Sequence, residues 1–221
     1  MKKKEDGFEK LDVGRFAAEM KEELPEKRIL GIGSPRASLE SNYALKKLVG
    51  EDRFCTGWSE QEQLLAGTAR RLLEQSPAPT PSMKEIEQSD AVLILGEDLI
   101  NTAPMMGLAV RQAAQSRKKD VAEDRNIPRW HMDAVQKTAP EEQYPVMIAT
   151  PQATKLDELD DSADRLSPAE IAALAGHISH LIDDEASDAE LKFRSDRARQ
   201  IAATLMEAEN PVIIAGTSLR D

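Results

Sequence analysis

Two stretches of the chain set residues able to do chemistry directly after an apolar run. The first reads GIGS at 31–34, with Pro35 and Arg36 behind it. Glycines between a strand and a helix allow a phosphate to rest on free backbone donors at the helix N-terminus. Gly33 and Ser34 would form that cradle, with Arg36 as counter-charge. The third glycine of the dinucleotide fingerprint is absent, however, and Pro35 removes a donor. The same residues equally make a tight turn, with Ser38 capping the helix that follows. The second stretch, Gly96, Glu97 and Asp98, closes the apolar run 91–95 and precedes Asn101 and Thr102. In an open α/β sheet ligands lie outside the carboxyl ends of the strands, so this loop is expected to face the same crevice as Ser34. Adjacent carboxylates there repel an anion. They suit a ribose hydroxyl or acid–base work, or they favour a helix N-terminus by ~0.3 to 1 kcal/mol. No nucleophile or metal ligand accompanies them, and no catalytic residue is assigned.

Thiolates and imidazoles are scarce. Cys55 is the single cysteine, so the chain cannot close an intrachain disulfide or build a four-thiolate cluster by itself. It reads as a small buried side chain. His177 and His180 lie three apart on an expected helix, but two imidazoles without a third ligand make a poor metal site. They read as surface or partly buried helix residues, and no metal is assigned.

Charge excludes further classes. The 29 Lys and Arg stand against 40 Asp and Glu, a formal charge of −11, which argues against duplex nucleic acid and against an anionic membrane surface. No stretch reaches the ~18 to 20 apolar residues of a membrane span. The Lys-rich start runs into Asp6, Gly7 and Glu9 rather than an apolar core, so it is no signal peptide. A soluble, intracellular chain is expected. Its 221 residues suffice for one large or two small domains. With 4% aromatic residues, Ala, Leu, Ile, Val and Met must fill most of the core.

The elements that position the candidate residues follow from the apolar pattern. Runs at 28–33, 91–95, 144–149 and 211–215 are short, aliphatic and bounded by Gly, Pro or Asp, as strands covered on both faces are. Helical periodicity occupies 38–49, with Leu39, Tyr43, Leu45 and Leu48 near one side, and 62–73, with Leu64, Leu65, Leu72 and Leu73. It recurs at 102–116, where Pro104 sits close to the first turn, at 168–182 and at 189–206. Alternation of this kind predicts an α/β fold with a Rossmann-like parallel sheet flanked by helices. Pro77, Pro79 and Pro81 mark a stiff connection, and 156–164 reads as a solvated acidic linker. Trp58, Trp130, Met105 and Met106 read as packing residues, or as faces for partners. The last strand stops where a βα loop would feed its helix, as expected of a piece of something longer.

Several stretches carry a family resemblance. GSPRASLESNY at 33–43, LKKLVG at 45–50, PSMKEIEQSDAVLILGED at 81–98, NTAP at 101–104, LAVRQA at 108–113 and PVIIAGT at 211–217 closely resemble the large G subunits of bacterial NADH-quinone oxidoreductase, respiratory complex I. The resemblance is strong over 31–115 and thin over 117–188. It implies a piece of a region similar to molybdopterin oxidoreductases of the formate dehydrogenase and DMSO reductase kind. On that basis 1–155 is one Rossmann-like unit, 156–187 an acidic linker and helix, and 188–221 the truncated start of a second α/β unit. It also implies iron–sulfur clusters in a separate N-terminal part, other complex I subunits as partners, and a peripheral arm on the cytoplasmic side of the inner membrane. No cofactor is expected within this stretch. Working members tend to have Asn and Pro in the loop where this chain has Glu97 and Asp98. Gly33, Ser34, Arg36, Gly96, Glu97 and Asp98 are accordingly candidates for a vestigial pocket, and a catalytically silent scaffold is the leading expectation. The rival is an active domain binding molybdopterin or a nucleotide, with Gly33, Ser34 and Arg36 on a phosphate and 96–98 on a sugar. A pure interaction module is the third.

Overall fold

A computed structural model describes residues 2–4, 7–10, 12–23, 28–183 and 195–219. The chain divides into two compact units, Met1–Leu65 and Ala66–Asp221.

In the first unit β1 (Lys2–Lys4) pairs antiparallel with β2 (Gly7–Glu9), and α1 (Val13–Glu23) follows. Next come β3 (Gly31–Ile32), α2 (Leu39–Val49) and β4 (Phe54–Cys55), a small β-α-β element whose strands pair parallel. The expected strand over 28–33 is thus cut to two paired residues, because β4 offers only two in return. Ser38 caps α2 as its position predicts, accepting from the Ser41 amide. The face expected to be apolar and inward is mostly outward: Leu39, Tyr43 and Leu48 are exposed, and α2 buries Val49 instead. α3 (Glu60–Gln75) begins here and runs on into the second unit's residues. Its Leu64, Leu65, Leu72 and Leu73 are likewise exposed.

The second unit holds α4 (Met83–Glu87), β5 (Ala91–Leu95), α5 (Leu99–Thr102), α6 (Pro104–Asp124), α7 (Met132–Thr138), β6 (Val146–Thr150), β7 (Asp164–Arg165), α8 (Pro168–Ile182), α9 (Ser195–Glu207) and β8 (Pro211–Ala215). Its four strands run parallel in the order β7-β6-β5-β8. Counted from β5 this is 3-2-1-4, the opening order of a Rossmann sheet. Side chains alternate along β5, so that Ala91, Leu93 and Leu95 pack on α8 and α9 while Val92 and Ile94 pack on α4 and α6. Each Val, Leu or Ile side chain so buried contributes about 1.5–3 kcal/mol. The sheet is therefore covered on both faces, as its unbroken apolar runs predict.

Two of the expected boundaries are corrected. β8 pairs with β5 along its whole length, from Ala91↔Pro211 to Leu95↔Ala215, so the C-terminal stretch completes this sheet rather than starting another. Residues 184–194, which include part of the linker and part of the helix expected at 189–206, lie outside the described residues. The acidic linker is also bound rather than solvated. The Asp160 carboxylate accepts from the Ile148 amide at 2.8 Å and from Arg197 at 3.0 Å, and Asp164 accepts from Arg197 at 2.9 Å. Leu156 is buried in the cluster on the α4 and α6 side, and β7 within this stretch pairs with β6.

Candidate functional site

The switch point of the sheet lies between β5 and β8, where the strand order reverses. Two loops close it, Gly96–Glu97–Asp98 after β5 and Gly216–Thr217–Ser218–Leu219 after β8. Gly96 donates its amide to the Ala149 carbonyl at 2.8 Å, extending the β5–β6 ladder by one rung. At φ +74° it turns the chain through a conformation that favours glycine, and a Cβ there would meet Leu219 Cδ1 at 2.2 Å. Glu97, only 7% exposed, points into the gap. Its Oε1 accepts from the Ser218 amide at 3.0 Å and its Oε2 from the Ser218 hydroxyl at 2.7 Å, with the Thr102 hydroxyl at 3.5 Å. Gly216 permits this approach, since a Cβ on it would fall 2.1 Å from Glu97 Oε1. Asp98 turns the other way and caps α5, accepting from the Ile100 amide at 3.2 Å and the Asn101 carboxamide at 2.6 Å.

Gly33, Ser34 and Arg36 belong to the first unit, at the carboxyl end of β3. β3 pairs with β4 and is no part of the sheet that carries Gly96, so the single-sheet geometry expected to bring the two loops to one crevice does not hold. The loop is internally satisfied. Gly33 donates to the Cys55 carbonyl at 2.8 Å, Ser34 to Asn42 Oδ1 at 3.0 Å, Arg36 to the Ser34 hydroxyl at 3.2 Å and Ala37 to the Ser34 carbonyl at 3.1 Å. Asn42 returns a bond from Nδ2 to the Ser34 carbonyl at 2.9 Å. Its carboxamide thus does from within the helix what a bound oxyanion would do from outside. Glu40 adds a negative charge in the first turn of α2, and its own amide, then the Ser38 hydroxyl, hold its carboxyl below the usual range. Beside this loop an apolar cleft of about 360 Å³ is walled by Pro35, Leu39, Tyr43, Phe54 and Trp58.

The remaining candidates separate cleanly. Cys55 is exposed, against the expectation of burial, at the end of the two-residue strand β4. His180 is exposed and His177 half-buried, as expected. Among the described residues no cluster of His, Cys, Asp or Glu is placed to hold a metal ion, and no helix is long and apolar enough to cross a membrane. Trp130 is exposed and stacks on His131, and Met105 is exposed while Met106 packs against the core. Ser218, Gly216, Leu219 and Asn42 were not among the residues expected to build either loop. The first three stand some 120 positions from their partners, beyond the reach of spacing, whereas Asn42, eight residues after Ser34 on the following helix, carried a local signal.

Chemically, both strand-end loops are filled by the chain itself: one by an amide, the other by a carboxylate. No protein-family profile matches the chain. It is 40% identical over 200 residues to the G subunit of NADH-quinone oxidoreductase from Pseudomonas putida, covering 90% of this chain and 22% of that protein. The G subunit from Pseudomonas fluorescens is 38% identical over 95% of this chain and 24% of its own length, and that from Escherichia coli K12 36% over 87% and 21%. The chain spans about a fifth to a quarter of the length of these curated relatives. An aligned length of 200 residues leaves too few outside for the thin stretch 117–188 to be excluded as a whole. Along nearly its whole length, then, the chain matches one segment of the G subunits of NADH-quinone oxidoreductase.

Proposed function

We propose that this chain serves as a catalytically silent scaffold segment of a complex I G subunit, within a region built like a molybdopterin oxidoreductase. The relatives' name describes transfer of electrons from NADH to a quinone. In this reading the transfer runs through other parts of the assembly, and this segment supports the neighbouring cluster-bearing part and subunits in a peripheral arm. One observation carries it: the donors and gaps that a pterin nucleotide's pyrophosphate would need are engaged internally, by Asn42 at 33–37 and by Glu97 at the switch point. A dianion brought against Glu97 would also meet a like charge, at a cost of on the order of 1 kcal/mol or more once water is excluded. The residues present do not fit that group. The lone exposed Cys55 does not fit an iron–sulfur cluster either, so the clusters are assigned to other parts of the longer protein.

Metal and pterin content of the purified chain tests the reading. Neither is expected in stoichiometric amount; stoichiometric molybdenum, tungsten or pterin would reject it. A thermal-shift panel of adenine and guanine nucleotides should be flat, whereas a ligand at a hundred times its Kd would stabilise the chain by ~2.7 kcal/mol.

A further inference from the structure

We infer that Glu97 is an internal ligand: its carboxylate occupies the switch-point site between β5 and β8 in place of an external anion, and so keeps the two loops clasped without any cofactor. Position comes first. Open α/β sheets bind ligands outside the carboxyl ends of the strands at the point of order reversal, and that point here is the β5–β8 boundary. Contacts come second. The carboxylate is more than nine-tenths buried and takes an amide and a hydroxyl from Ser218 on the opposite loop. Backbone amide plus hydroxyl is the donor set by which such loops hold small oxyanions. Shape comes third, and it is reciprocal. Gly216 makes room for Glu97, and Gly96 makes room for Leu219. Each loop therefore carries the glycine that admits the other loop's side chain, a fit that only closure of both loops uses. Leu219 adds an apolar latch, packed against the core on the α8 and α9 side.

An internal ligand leaves an anion site behind when it is removed. The probes are sodium formate, sodium acetate and inorganic phosphate, each against sodium chloride at equal ionic strength. Glu97→Ala is expected to melt lower than the parent chain and to regain at least about 2 °C, saturably, with formate or acetate. The parent chain and the double variant E97A/S218A should show no such gain. Saturable stabilisation of the parent chain by any of the anions, or a folded E97A as indifferent as its parent, would overturn the assignment. If E97A does not fold, amide exchange in Glu97→Gln decides instead: the Ser218 amide should exchange about tenfold faster than in the parent chain, and unchanged exchange would overturn the assignment. This role for Glu97 rests on the inert reading above, yet the two fail separately. Bound pterin in the parent chain would sink the scaffold reading, whereas failed anion rescue would sink only the internal ligand.

Discussion

Carboxylates hold the second unit together at positions where a sheet has unpaired amides to offer. Asp90, just before β5, accepts from the Glu209 and Asn210 amides at 2.7 and 2.8 Å, and Glu97, just after β5, accepts from Ser218. β8 is thus tied at both ends to the residues flanking its neighbour. Asp160 does the same for the edge of β6 through the Ile148 amide, and there the charge is answered by Arg197, whose side chain is 14% exposed against 8% for Asp160 and 12% for Asp164. Because Arg197 answers both acids at low exposure, Arg197→Leu should cost about 3–5 kcal/mol in chemical denaturation, as breakage of a buried pair does. A loss below about 1 kcal/mol, the range of exposed pairs, would show that water replaces the arginine. Asn42→Ala is expected to cost about 0.5–1.5 kcal/mol, the net worth of its bond to the Ser34 amide, which is exposed so that water can take the acceptor's place. The same variant, tested with inorganic phosphate, should remain unbound if Glu40 guards the helix start. At this scale the sequence showed which loops matter but not what fills them. Gly96 and Glu97 stand out by following an apolar run, whereas Ser218 is identifiable only once β8 is known to lie beside β5.

Elements were legible in proportion to their length and to the strength of their caps. β5 and β8 match the expected runs residue for residue, and α8 matches 168–182, with Ser167 and Glu170 forming a capping box and Pro168 in the first turn. α6 extends two turns past the expected end at 116, since its buried face is mostly alanine and the charged stretch 117–124 carries no apolar rhythm to follow. β4 and β7 have two residues each, too few for any period, and only pairing defines them. The caps are directly testable. Ser167→Ala should lower stability by about 1 kcal/mol. In the second box, the Ser82 amide first and its hydroxyl second hold the Glu85 carboxyl below its ordinary value of 4.5. The folded state therefore favours the charged form, so the contribution of this contact is present above the ordinary carboxylate range and fades as pH falls through the lowered value. A side-chain titration by NMR should place Glu85 below 4.5 in the parent chain and move it only part of the way back in Ser82→Ala, which loses the hydroxyl but keeps the amide. An identical titration in both would leave the Ser82 amide as the cause and remove the hydroxyl.

On the scale of the whole chain, burial is shared unequally between the two units. Both hydrophobic clusters, one on each face of the four-stranded sheet, belong to Ala66–Asp221. Among the described residues of the first unit, Val49 is the one hydrophobic side chain that is fully buried, while Phe8, Val13, Phe16, Leu30, Ile32, Leu39, Tyr43 and Leu48 are exposed. Stability follows buried apolar area, so cooperative protection should track this division. Native-state hydrogen exchange is expected to find the amides of β5 and β6 exchanging only through global unfolding. Those of β3, β4 and α2 should exchange by local opening at least about a hundredfold faster, a gap of roughly 2.7 kcal/mol. Denaturant should then give transitions that differ between probes in the two units, since a single all-or-none transition requires comparable cooperativity throughout. Equal protection of β3 and β5 would mean that the first unit draws stability from something other than its own core.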